Sequence, residues 1–121
     1  MKLSVNHSVA RGTNILNVDV PDQLRKRIPT GLAHIDDALG GRGFTPSMVT
    51  LFTGTPGAGK TTLMLEAANA LQGKGATVLF NTAEESLFQL KMTVERLRLR
   101  HGFVAGQDTM VKDLLAHADE L

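Results

Sequence analysis

Residues 51–63 read Leu51-Phe52-Thr53-Gly54-Thr55-Pro56-Gly57-Ala58-Gly59-Lys60-Thr61-Thr62-Leu63. Gly54, four intervening residues and then Gly59-Lys60-Thr61 make a full Walker A signature. Upstream, Met48 to Thr53 is a short apolar, partly β-branched run, which predicts a buried strand. Downstream, Thr61 to Leu71 is rich in Leu, Ala and Met, which predicts a helix. A strand, a glycine loop and a helix in that order are the setting a phosphate site requires. The glycines let backbone N–H groups turn inward with no Cβ in the way of an anion. The helix start adds unpaired N–H groups and the positive end of its dipole. Gly54, Gly57 and Gly59 are therefore the expected phosphate-loop glycines, and Pro56 stiffens the loop. Lys60 would reach the β- and γ-phosphates as a point charge, and the Thr61 hydroxyl would ligate Mg²⁺.

The predicted helix stops at Gly73-Lys74-Gly75, and Ala76 to Phe80 reads as a second buried strand. The two strands and the helix between them predict a parallel βαβ unit. Asn81-Thr82-Ala83-Glu84-Glu85-Ser86 follows at the carboxyl end of that strand, the edge where open parallel sheets place ligands. One of Glu84 and Glu85 is then placed to orient or deprotonate a water. An equal alternative is that both acids simply favour the start of the next helix through its dipole. Ser86 and Gln89 form a capping-box pattern that puts the helix start at residue 86 or 87. Its apolar stripe is Leu87, Leu90, Val94 and Leu97, and Lys91, Arg96, Arg98, Arg100 and His101 make its far half basic. Gly102 is the expected stop, Phe103-Val104-Ala105 a third short strand, and Asp108 or Thr109 the cap of a last helix.

Before the Walker stretch, residues 1–13 read as a loosely held tail and Ile15 to Val20 as an edge strand ended by Pro21. Residues 1–20 thus form a tail, and 21–121 the core. Arg25-Lys26-Arg27 reads as a solvated basic face in preference to a phosphate or DNA contact. Thr30 to Leu39 predicts a short helix with Leu32, Ile35 and Leu39 on one face, and Gly40 suits the left-handed position after it. His34 falls off that stripe and has no partner at metal-ligand spacing.

Composition narrows the function classes. With 121 residues, 42% of them hydrophobic and a net charge of +1, the chain suits one small domain with no global field drawing it to nucleic acid or membrane. It has no cysteine, which excludes disulfides and thiolate chemistry and fits a cytoplasmic setting. No apolar run approaches a membrane span, and the first residues do not form a signal peptide. With no Trp or Tyr and five Phe, platforms for stacking single-stranded bases are scarce.

The order Arg27-Ile28-Pro29-Thr30-Gly31-Leu32, Ile35-Asp36, Leu39-Gly40-Gly41, Walker loop, Glu84-Glu85-Ser86 resembles the RecA-like P-loop ATPases, most of all the bacterial RadA (Sms) branch, with DnaB-type helicases and KaiC as cousins. The resemblance covers about residues 25–100. It implies an α/β fold, a parallel sheet flanked by helices, and an activity that binds ATP with Mg²⁺ and hydrolyses it. By position, Gly54, Thr55, Pro56, Gly57, Ala58, Gly59, Lys60, Thr61 and Thr62 match the family's phosphate loop, Glu84 its catalytic glutamate, and Glu85 a second acidic position present in some branches only. It also implies a ring or filament of identical subunits and work on DNA in recombination, repair or replication.

The sequence departs from the family pattern in several places. Ser47 stands where the family often has Gly, and Arg42 interrupts the usual glycine run. No Walker B run of four apolar residues and an Asp appears after Ala76, so the sheet is expected to be incomplete, as in the amino-terminal half of a core. Two further readings stand beside the ATPase: a nucleotide-binding assembly module without turnover, and a small P-loop kinase.

Overall fold

The computed structural model describes residues 12–55 and 59–121. Among them the helices are α1 (Asp22–Arg25), α2 (Ala33–Ala38), α3 (Lys60–Gly73), α4 (Leu87–Arg96) and α5 (Val111–Glu120). The strands are β1 (Leu79–Asn81) and β2 (Val104–Gly106), which pair in parallel with Phe80 opposite Ala105. This is an α/β fold in which α4 is the crossover between the two strands.

The core is centred on α3. Leu65, Ala67 and Ala68 are buried, with Leu65 at 0% exposure, and among the described residues Ile35 of α2 and Leu90 of α4 are the other buried apolar side chains. Alanines at 67 and 68 keep that face of α3 thin enough for neighbours to approach. Phe80 and Phe103, one from each strand segment, pack with ring centroids 5.5 Å apart.

The segment ahead of the Walker loop is closed by local polar bonds. Ile28 and Phe44 form an antiparallel bridge through N–H···O bonds of 2.7 and 2.8 Å. The Arg27 guanidinium donates to the carbonyls of Leu39 and Gly43 at 2.6 and 2.5 Å, so this residue is a brace and not part of a solvated face. Gly43 has φ 85°, and a Cβ there would collide with the Ile28 carbonyl, which is why a glycine occupies this crossing. Asp36 supplies the second closure. Its carboxylate accepts from the Thr30 N–H (2.9 Å), the Thr30 hydroxyl (2.7 Å) and the Gly31 N–H (3.0 Å). The Thr-Gly-x-x-x-x-Asp lead-in is thus a capped loop that sets the start of α2.

Several expectations need correction. Met48 to Thr53 forms no strand, and Val49 is 97% exposed. A run of this kind is a buried strand only when a neighbour takes its N–H and C=O groups, and β1 is paired with β2. The parallel unit is consequently β1–α4–β2 and not one built on the Walker strand. Ile15–Asn17 is a single 3-10 turn capped by the Asn14 side chain, where an edge strand was expected. β1 begins later than Ala76 because the chain is still closing α3 there. Ala76 N–H returns to Leu71 O at 3.1 Å, and Val78 N–H is taken by the Gln72 side chain at 3.0 Å. α4 ends at Arg96, well before Gly102. Arg98 takes the left-handed position (φ 57°), with Arg98 N–H on Glu95 O and Leu99 N–H on Val94 O, both 3.1 Å. Met110, and neither Asp108 nor Thr109, stands at the cap of α5.

Candidate nucleotide site

α3 starts at Lys60 with Gly59 as its cap, in the left-handed region at φ 87°. That conformation lets the chain turn straight from loop to helix and is open to glycine at little cost. The first-turn N–H groups of a helix have no partner within it, and α3 carries no acidic residue in that turn to compete for them. Thr55 and Gly54 lead into this turn and are exposed, while Pro56, Gly57 and Ala58 lie outside the described residues. The Lys60 ammonium donates to Gly54 O at 2.7 Å, holding its side chain back along the loop. Lys60, Gly54 and Gly59 line a cavity of about 250 Å³ with Phe52, Thr53 and Leu63.

A second cavity, of about 290 Å³, is lined by Thr61 together with Phe80, Asn81, Thr82, Ala83, Glu84, Glu85 and Leu90. The structure therefore brings Thr61, Glu84 and Glu85 to one place, at the start of α3 and the carboxyl end of β1. A hydroxyl and two carboxylates are hard oxygen donors of the kind Mg²⁺ takes, so the residues present fit that ion. Lys60 reaches the neighbouring cavity instead of this one, and Thr62, half-buried, lines neither.

The turn that carries the glutamates is tied down on both sides. Thr82 N–H bonds to Gly106 O at 3.0 Å, extending the ladder past β1. The Thr82 hydroxyl accepts the Glu85 N–H at 3.1 Å. Ser86 then caps α4: its hydroxyl accepts Gln89 N–H at 3.2 Å, and Gln89 Oε1 accepts Ser86 N–H at 3.0 Å. Glu84 and Glu85 precede this cap and are not in the helix, so both readings of them remain physically consistent.

Asn81 and Asp108 went unremarked in the sequence as partners. The Asn81 amide donates to Asp108 O and accepts from Asp108 N–H, both at 2.9 Å, stapling the segments that follow the two strands. The Asp108 carboxylate lies 3.4 Å from His117 Nδ1 of α5. An asparagine at the last position of a strand was the available signal, since its amide can imitate one more residue of ladder. His34 sits 3.5 Å from Glu66 of α3, a contact between α2 and α3.

Residues 28–104 match the KaiC ATPase family. The chain is also similar to proteins named DNA repair protein RadA. It is 37% identical to that of Mycolicibacterium smegmatis over 97 residues, which is 79% of this chain and 21% of that protein. To the Mycobacterium tuberculosis protein it is 38% identical over 91 residues, covering 74% of this chain and 19% of the other. To the Haemophilus influenzae protein it is 38% identical over 96 residues, covering 78% and 20%. The chain spans about a fifth of the length of these relatives. No solved structure matches it.

Proposed function

Because this chain belongs to the KaiC ATPase family, we propose that it binds Mg·ATP at residues 54–62 and supplies Glu84 as the group that activates the attacking water. The observation that carries this reading is the shared cavity of Thr61, Glu84 and Glu85 at the start of α3. The phosphates lie against the loop and the α3 N-terminus, with Lys60 turning from Gly54 O to the β- and γ-phosphates. When bound, Mg²⁺ neutralises phosphate charge, and the Thr61 hydroxyl is the ligand this chain offers it. Glu84 accepts a proton from water as the water oxygen bonds to the γ-phosphorus. The bond from that phosphorus to the β,γ-bridging oxygen breaks, and ADP and phosphate leave. Glu85 adds a second negative charge that orients the water.

The relatives are named for DNA repair, and we assign the chain the corresponding role. It is an ATP-driven core for recombination, repair or replication, working as a subunit of a ring or filament in the cytoplasm. Its net charge of +1 means that any DNA contact is local. No helix among the described residues is long and apolar enough to cross a membrane.

Calorimetric titration with Mg·ATP tests the first part. Lys60→Ala is expected to abolish binding, and unchanged affinity in that variant would sink the phosphate-loop assignment. Glu84→Gln is expected to keep binding and slow hydrolysis by roughly a hundredfold. The alternative is an assembly module that binds nucleotide without turning over. It predicts that Glu84→Gln changes nothing.

A further inference from the structure

We infer that Thr82 is a positioning residue for Glu84, acting through the turn that joins β1 to α4. The inference rests on the reading of Glu84 as the water-activating group. Thr82 is held from below and holds from above. Its N–H is fixed to Gly106 O at 3.0 Å, so its backbone belongs to the sheet. Its hydroxyl accepts the Glu85 N–H at 3.1 Å, closing a turn in which Glu84 is the residue next to the bond. The far side of the turn is braced as well: the Gln107 side-chain amide lies 3.4 Å from Glu85 O, and Gln89 Oε1 holds the Ser86 N–H. Asn81, immediately before Thr82, is stapled to Asp108 by its two 2.9 Å bonds.

The peptide between Glu84 and Glu85 therefore has its orientation set chiefly by one hydroxyl. Without it the Glu85 N–H has no acceptor on the Thr82 side, and that peptide is released to rotate. Glu84 swings with it. A group that activates water works only when held within a fraction of an ångström of its productive place. Among the described residues, none of those expected to bind phosphate bonds to Thr82, whose partners are Glu85 N–H and Gly106 O. Rate and affinity should therefore separate.

The test is Mg·ATP affinity by calorimetry and single-turnover hydrolysis with the chain in excess, for wild type, Thr82→Val, Thr82→Ala, Thr82→Ser and Glu84→Gln. Thr82→Val and Thr82→Ala should bind within about twofold of wild type and hydrolyse about tenfold more slowly. Thr82→Ser, which keeps the hydroxyl, should return to within about twofold of the wild-type rate. Wild-type turnover in Thr82→Val, or no recovery in Thr82→Ser, overturns the positioning role while leaving Glu84 in place if Glu84→Gln is inactive. Affinity falling in step with rate in both Thr82→Val and Thr82→Ala also overturns it, because a purely structural threonine would do that. If wild type does not turn over, or Glu84→Gln matches it, the catalytic reading fails and the positioning role falls with it.

Discussion

Among the described residues, two that are not glycine occupy the left-handed region, Ser47 at φ 60° and Arg98 at φ 57°. An L-residue pays for its Cβ there, and glycine does not. The Ser47 position is where the resemblance expects a glycine, and the backbone angle supplies the physical reason. Ser47→Gly and Arg98→Gly should each raise stability by about 0.5–1 kcal/mol, the relief of the Cβ clash less the added freedom of the unfolded chain. The midpoint of urea unfolding checks both. Gly43→Ala should go the other way, losing about 2 kcal/mol or more, since its new Cβ meets both a positive φ and the Ile28 carbonyl. At this scale the sequence was read well where chemistry is local. Ser86 with Gln89 as a capping box and Gly40 in the left-handed region after α2 both stand as their spacing predicted. The roles of Arg27, Asp36 and Asn81 were not legible, because each bonds to backbone that only the fold brings near.

Among the elements, the loop from Thr30 to α2 is where charge and folding are coupled. The hydrogen bond from the Thr30 N–H, against the cost of burial, holds the Asp36 carboxyl below its ordinary value, aided by the Thr30 hydroxyl, the Gly31 N–H and the charge of Lys74. A lowered folded value means that the ionised form is favoured by folding. The contribution is complete above the unfolded value of about 3.9 and is lost as pH falls through it toward the lower folded value. Asp36→Asn keeps the shape but sets an amide N–H₂ against a donor, so it should be less stable than wild type at neutral pH. The stability difference between the two proteins should shrink as pH drops from about 5 to below 3, read by urea unfolding at each pH. A constant difference would mean that the carboxylate charge contributes nothing. Helices were the most legible elements: α3 and α5 sit near their predicted spans, and α4 starts where its capping box put it though it ends at Arg96, short of Gly102. Strands were the least legible. Leu51 and Val49 read as buried from their type alone, but a strand also needs a partner ladder, and no pattern within residues 48–53 encodes one.

Considered as a whole, the molecule leaves much apolar surface uncovered. Met48, Val49 and Leu51 lie open ahead of the loop, Phe88 and Met92 on α4, and Val111 and Leu115 on α5. The sheet of β1 and β2 is two strands wide among the described residues, which leaves ladder edges free. Among the described residues, two short strands and a core made of few side chains bury little surface on folding, so the change in exposure on unfolding is expected to be small. Two consequences follow from the same geometry. Unfolding should be shallow, with a urea slope below about 1 kcal/mol/M. Sedimentation should show larger species growing as loading concentration rises, because exposed ladder edges and apolar faces gain by pairing with another copy. Charged residues at the most exposed of these positions separate the two effects. Val49→Lys with Leu51→Lys removes apolar surface that makes no ladder bond, so it should weaken association without lowering the unfolding midpoint. If that double variant unfolds earlier while association is unchanged, residues 48–53 are part of the core in solution. A monomer with a steep transition at every concentration would show that the exposed surface is covered from within the chain.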